Sequence, residues 1–194
     1  MVERYHVIVK GTRPLLMHAP TGLGDKPQRR RGEHLEPEVE ARSYLYRDDE
    51  GRIVIPAVNI KACIRDAGAN YRVSGRRCTF KAMIKAALDI EPFPYVPLLV
   101  PDGEKPGNWR LATDNDYVVD IRPVVVQGSR ILRARPRFDK WALEFSIINK
   151  DPTVVHAETL KKILVDAGKW YGLGDFRPEF GLFEVVKFVK QETT

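Results

Sequence analysis

A chain of 194 residues with 43% hydrophobic residues can bury a core without staples, so Cys63 and Cys78, which lack metal-ligand spacing, read as reduced thiols of a cytoplasmic protein. No apolar run approaches the roughly 18 residues a membrane span requires, which excludes a membrane partner reached through a helix. A net charge of +6 favours a polyanionic partner, and 30% charged residues with few Gln and Cys suggest a thermophilic source.

The first element is a strand over 4–12, where Tyr5, Val7 and Val9 alternate with Arg4, His6 and Lys10. From 17 to 43 the pattern collapses into a long basic loop rich in Gly and Pro, a segment that in a compact domain is functional or mobile. It holds His18, Asp25 and the cluster Lys26, Arg29, Arg30 and Arg31, which reads as a clamp on a polyanionic strand or as disorder. Residues 43–56 predict a hairpin turning at 49–51. A helix follows over 57–71, with Ile60, Cys63, Ile64 and Ala67 on one face, Asn59 as a candidate cap and Lys61 and Arg65 on another face. A second helix, 79–89, starts behind Thr79, and Arg72, Arg76, Arg77 and Lys81 cluster between the two. Residues 91–116 contain five prolines and two glycines, which predicts a surface excursion or flexible insert outside the core. Strands are expected at 117–126 and 141–149, a helix at 156–171 and a closing strand at 182–189.

The strong elements run β, α, β, β, α, β. That order predicts an α+β, ferredoxin-like (RRM-like) core, four antiparallel strands with two helices on one face. It implies one domain over 1–194, with the long loop after strand 1 and an inserted hairpin and loop region.

Between the last helix and last strand stands GKWYGLGDFRPEFGLF, with Gly172, Gly174 and Gly181. A dinucleotide fingerprint needs a strand before its glycines and a helix after them, and here the order is reversed. The alternatives are a helix cap with a tight turn, or close backbone approach to an extended ligand with Lys169 and Arg177 adding charge.

Three segments together, YHVIVKGTRPLLMH (5–18), GRIVIPAVNIKACIR (51–65) and GLGDFRPEFGLF (172–183), resemble the CRISPR-associated RAMP superfamily, particularly its crRNA-binding backbone subunits. In the resemblance Ile55-Pro56 stands at the hydrophobic-Pro step, Lys61 at the motif lysine with Arg65 four residues on, and Gly172, Gly174 and Gly181 at three of four loop glycines. The chain departs from the family pattern at Ala57, Val58, Asn59, Ala62 and Phe183. The resemblance implies an RNA-binding subunit that self-associates along a guide strand beside other effector subunits. It also implies that an aspartate in the loop after strand 1 can cut RNA with a divalent metal, which makes Asp25, with His18 nearby, the candidate catalytic residues and Mg²⁺ the cofactor in that case. Otherwise no cofactor or resident metal is expected. A looser similarity to short phage and prophage proteins rests on Met17, His18, Asp25 and Gly172 to Asp175.

Read from the residues themselves, RILRARPRFDKW (130–141) places Arg133, Arg135 and Arg137 on one side of an extended segment behind Arg130. Guanidinium groups about 7 Å apart suit successive phosphates of a single strand, or protect a solvated ribbon edge. The sheet face is expected to carry His6, Lys10, Arg122 and Glu144 where an RRM would carry stacking aromatics, so backbone binding is expected over base stacking. The expected function is sequence-independent binding of single-stranded RNA. The alternatives are a metal-dependent endoribonuclease, or a viral protein that is structural or binds single-stranded DNA.

Overall fold

The computed structural model describes residues 2–20, 35–103, 107–126 and 128–192. Strand β1 (Glu3–Gly11) buries Tyr5, Val7 and Val9. It lies between two antiparallel neighbours, β9 (Ala142–Asn149) and β10 (Phe183–Gln191). Leu143, Phe145 and Ile147 of β9 continue the same buried face. Against it pack α2 (Ala57–Ala67), through Ile60, Cys63 and Ile64, and α4 (Ala157–Asp166), through Leu160, Ile163 and Leu164. Both helices carry their apolar residues at three- and four-residue spacing, which fixes the face they bury.

The second core strand is not 117–126. It is the pair β4 (Leu88–Glu91) and β5 (Tyr95–Pro101), which pair in succession with the two halves of β9. The sheet order β10-β1-β9-β4/β5 is that of a ferredoxin-like fold, and the chain is α+β with antiparallel sheets. β5 also holds β3 (Val54–Pro56) and β6 (Trp109–Leu111).

The proline-rich stretch 91–116 therefore contributes to the core, contrary to the sequence expectation. Val96, Leu98 and Val100 are buried, while the prolines at 92, 94, 97 and 101 interrupt the hydrophobic pattern. Leu98 does the ladder's work between them. It donates its amide to Ile53 O (2.9 Å) and accepts from the Ala112 amide (2.9 Å).

Strand β7 (Val118–Val126) instead forms a hairpin with β8 (Ser129–Phe138), and β2 (Leu15–Leu16) joins them in a separate three-stranded sheet. Phe138 and Leu15 tie that sheet into the common core. The expected hairpin at 43–56 is reduced to one bridge, Arg47 to Ile53, and the chain before it forms the short helix α1 (Pro37–Arg42). Helix α2 begins two residues before Asn59, so Pro56 takes the cap position and Asn59 is free for another task. The next helix is α3 (Phe80–Ala87), with Thr79 in extended conformation before it. Helix α4 closes in a wide turn over Ala167–Tyr171.

Candidate nucleic-acid interface

Residues 172–182 are laced to the chain just after β1 by backbone hydrogen bonds. Asp175 N donates to Leu16 O (2.7 Å), Gly181 N to Pro14 O (2.7 Å) and Thr12 N to Leu182 O (2.8 Å), while Leu173 N closes the loop on Gly181 O (2.9 Å). Two glycines make this contact possible. At Gly174 (φ +78°) a Cβ would lie 2.4 Å from Leu16 O, and at Gly181 (φ +75°) 1.7 Å from Leu173 O. The close approach that these glycines permit is thus made by the chain's own backbone. The Gly172 amide is also used internally, donating to Ala167 O at 2.9 Å.

The ribbon β7–β8 packs one face on this loop. Arg122 lies over the Phe180 ring, 4.6 Å from its centroid, and Arg135 faces the Phe176 ring at 6.0 Å. Arg135 Nη1 stands 3.2 Å from Asp175 Oδ2. The arginine-rich strand and the glycine loop therefore meet, and between them opens a cleft of about 490 Å³. Its walls include His18, Tyr46, Asn59, Arg133, Arg135, Gly174 and Asp175.

Inside the cleft, Arg135 is 5% exposed, yet among the described residues its buried Nε and Nη1 have no hydrogen-bond acceptor. Its contact with Asp175 is an ion pair out of hydrogen-bond line. His18 stacks its ring on Tyr44 (centroids 4.1 Å apart) and brings Nδ1 to 3.3 Å from the same Asp175 Oδ2. The imidazole beside it holds the Asp175 carboxyl below its ordinary value; partial burial opposes this, and the Phe176 amide and Arg135 reinforce it. Tyr46 donates its hydroxyl to His18 O (3.3 Å), and burial, which outweighs its hydrogen bond with Asn59, raises its phenol. A buried guanidinium with unused donors suits a ligand rich in anionic acceptors.

The other arginines of the row have internal partners. Arg133 donates to Glu40 Oε1 and to the Tyr44 hydroxyl, both at 2.9 Å. Arg137 binds Asp120 Oδ2 (2.9 Å) and Asp139 Oδ1 (2.7 Å). The row is thus not the bare comb of cations that its spacing implies, because acids distant in sequence meet it. Arg130 lies exposed across from Val125 on the opposite face of the ribbon. Lys61 pairs with Asp89 (3.2 Å) and Arg65 with Asp66 (2.7 Å), both away from the cleft. Arg177 lines a second cleft on the far side of the loop. Asp25, Arg29, Arg30 and Arg31 lie outside the described residues. Among the described residues no three of His, Cys, Asp and Glu gather as metal ligands.

Sequence reasoning did not single out Asp175, Tyr46 or Glu40, although Asp175 stands within the quoted Gly-Leu-Gly-Asp string. Among the described residues no helix is long and apolar enough to cross a membrane.

No family model and no curated protein matches the chain. Among solved structures, one chain of the cryo-EM structure of the Type III-B Cmr-beta bound to cognate target RNA superimposes with a TM-score of 0.60 at 14% sequence identity. The match covers 98% of this chain and 61% of that one, so this chain spans about three fifths of its neighbour's length. The likeness is one of fold.

Proposed function

We propose that this chain is a non-catalytic subunit of a CRISPR-type effector assembly of RAMP kind that binds single-stranded RNA without reading its sequence. One observation carries the reading: a buried arginine with unused donors faces a cleft where the arginine ribbon and the glycine loop converge. A phosphate oxygen entering there would satisfy the donors of Arg135 that neither its ion pair with Asp175 nor its contact with the Phe176 ring uses. The fold shared with a chain of an RNA-bound Cmr-beta complex supports the choice of ligand. Copies of the chain, or neighbouring effector subunits, would line up along the strand.

The test is filter binding of oligouridylate at low salt by the wild type and by Arg135→Gln. The substitution is expected to weaken binding roughly tenfold, the loss typical of one charge-assisted hydrogen bond. Arg130→Gln, on the other face of the ribbon, should change it little. Absence of binding to any single strand ends the reading, and preference for DNA over RNA favours a viral single-strand DNA protein instead.

A second reading, cleavage of the bound strand, is favoured by the His18–Asp175 pair in the same cleft, since an imidazole 3.3 Å from a carboxylate can serve as a general acid or base. It is checked by incubating end-labelled RNA with wild type and His18→Ala, with Mg²⁺ and with chelator. Chelator-resistant cleavage that depends on His18 would establish it. Cleavage that requires Mg²⁺ and is lost in Asp25→Ala would establish the metal-dependent alternative.

A further inference from the structure

The segment Gly174 to Pro178 is a wall with two sides. Gly174 and Asp175 line the cleft of Arg135, while Arg177 and Pro178 line a second cleft of about 600 Å³ with Lys81, Trp170 and Tyr171. Trp170 belongs to the wide turn that closes α4, and it is 58% exposed. A large aromatic left this open at a concave, cationic place is unusual for a side chain with a packing role. Lys169 Nζ already sits over the ring, 4.6 Å from its centroid. The one acid in the cleft, Asp66, is held by Arg65 Nε (2.9 Å) and Nη2 (2.7 Å), so it does not offset Lys81 and Arg177. Tyr171 is fixed by Asn70 Nδ2, which donates to its hydroxyl (2.8 Å).

An exposed indole flanked by cations matches one chemical class, a planar aromatic joined to an anion. We infer that Trp170 is a stacking platform for one nucleobase of the strand whose phosphate meets Arg135, with Lys81 and Arg177 holding the phosphate next to that base. Arg177 stands two positions after Asp175, a span of about 7 Å at most, comparable to the step between adjacent phosphates of a single strand. The strand crosses the loop, giving a phosphate to one cleft and a base to the other.

This inference rests on the proposed function, and the experiment separates the two. Affinities of the wild type, Trp170→Ala and Trp170→Phe are measured for oligouridylate and for an abasic ribose-phosphate oligomer of equal length. Wild type should prefer the oligomer with bases by roughly five- to hundredfold, the range of one aromatic stack. Trp170→Ala should bind both oligomers alike, and Trp170→Phe should keep most of the preference. Indole fluorescence should be quenched by oligouridylate in the wild type and much less in Trp170→Phe. If Trp170→Ala binds oligouridylate as the wild type does, or if the wild type does not distinguish the oligomers, the platform is overturned while phosphate binding stands. If the wild type binds neither, the proposed function falls and the platform with it.

Discussion

Arg135 shows how one residue can be both structural and available. Its guanidinium is nearly covered, but its countercharge among the described residues, Asp175, is shared with His18. Because the folded carboxyl of Asp175 titrates below its unfolded value, the stabilisation it provides is present above the ordinary carboxylate range and disappears as pH falls through the folded value. The stability difference between wild type and Asp175→Asn should accordingly shrink as the pH falls below the ordinary carboxylate range, as followed by urea titration at several acid pH values. A difference that grows on acidification would refute the assignment. Gly181→Ala tests the loop itself. With a backbone carbonyl where the methyl must go and a left-handed φ, the expected loss is on the order of 3 kcal/mol in chemical denaturation. Cys63, whose burial raises its thiol pKa to about 12, should resist a thiol reagent in the native state that modifies the half-buried Cys78.

Among the elements, the ribbon β7–β8 explains both what the sequence revealed and what it hid. Alternation in 130–141 correctly places Arg133, Arg135 and Arg137 on one face, since the side-chain period of a strand is local. Their partners are not local: Glu40 comes from α1, Asp120 from the facing strand and Asp175 from the distant loop. The same limit turned 117–126 into a supposed core strand, because an apolar strand does not declare which sheet it joins. The actual core strand, β5, was hidden by prolines, although Val96, Leu98 and Val100 carry the alternation that could have revealed it. Asp120 is the pin of the ribbon. Burial pushes its carboxyl up, but Arg122 and Arg137 together bring it below the ordinary value. Asp120→Asn leaves two guanidiniums without their shared charge, and a loss of about 2 kcal/mol is expected. Amide exchange should accelerate in β7 and β8 first, with β1 and β9 unaffected; uniform acceleration would mean that the ribbon is not a separate unit.

For the molecule as a whole, a charge of +6 is spread over a surface on which many cations are already paired. If the chain binds RNA as proposed, few phosphates are then neutralised at each site. Two to four contacts predict a slope of roughly −1.4 to −2.8 for log affinity against log salt on a single strand. A much steeper slope would mean that the basic residues of the loop after β1 join in. If copies line up along the strand, light scattering should give a mass that rises in steps with RNA length. Helices α2, α3 and α4 and the core strands β1, β9 and β10 were legible from periodicity, and the meeting of ribbon and loop was not, because it depends on how the two sheets are set against each other.

Strand β1 has both of its neighbours far downstream: Lys10 pairs with Ala142 and with Glu184. The pieces of the cleft are equally separated, His18 near one end of the chain and Asp175 near the other. Residues through at least Asp175 must therefore have left the ribosome before the walls of this cleft can meet. If the cleft binds RNA as proposed, a half-made copy lacks it and cannot use it to seize the messenger being translated.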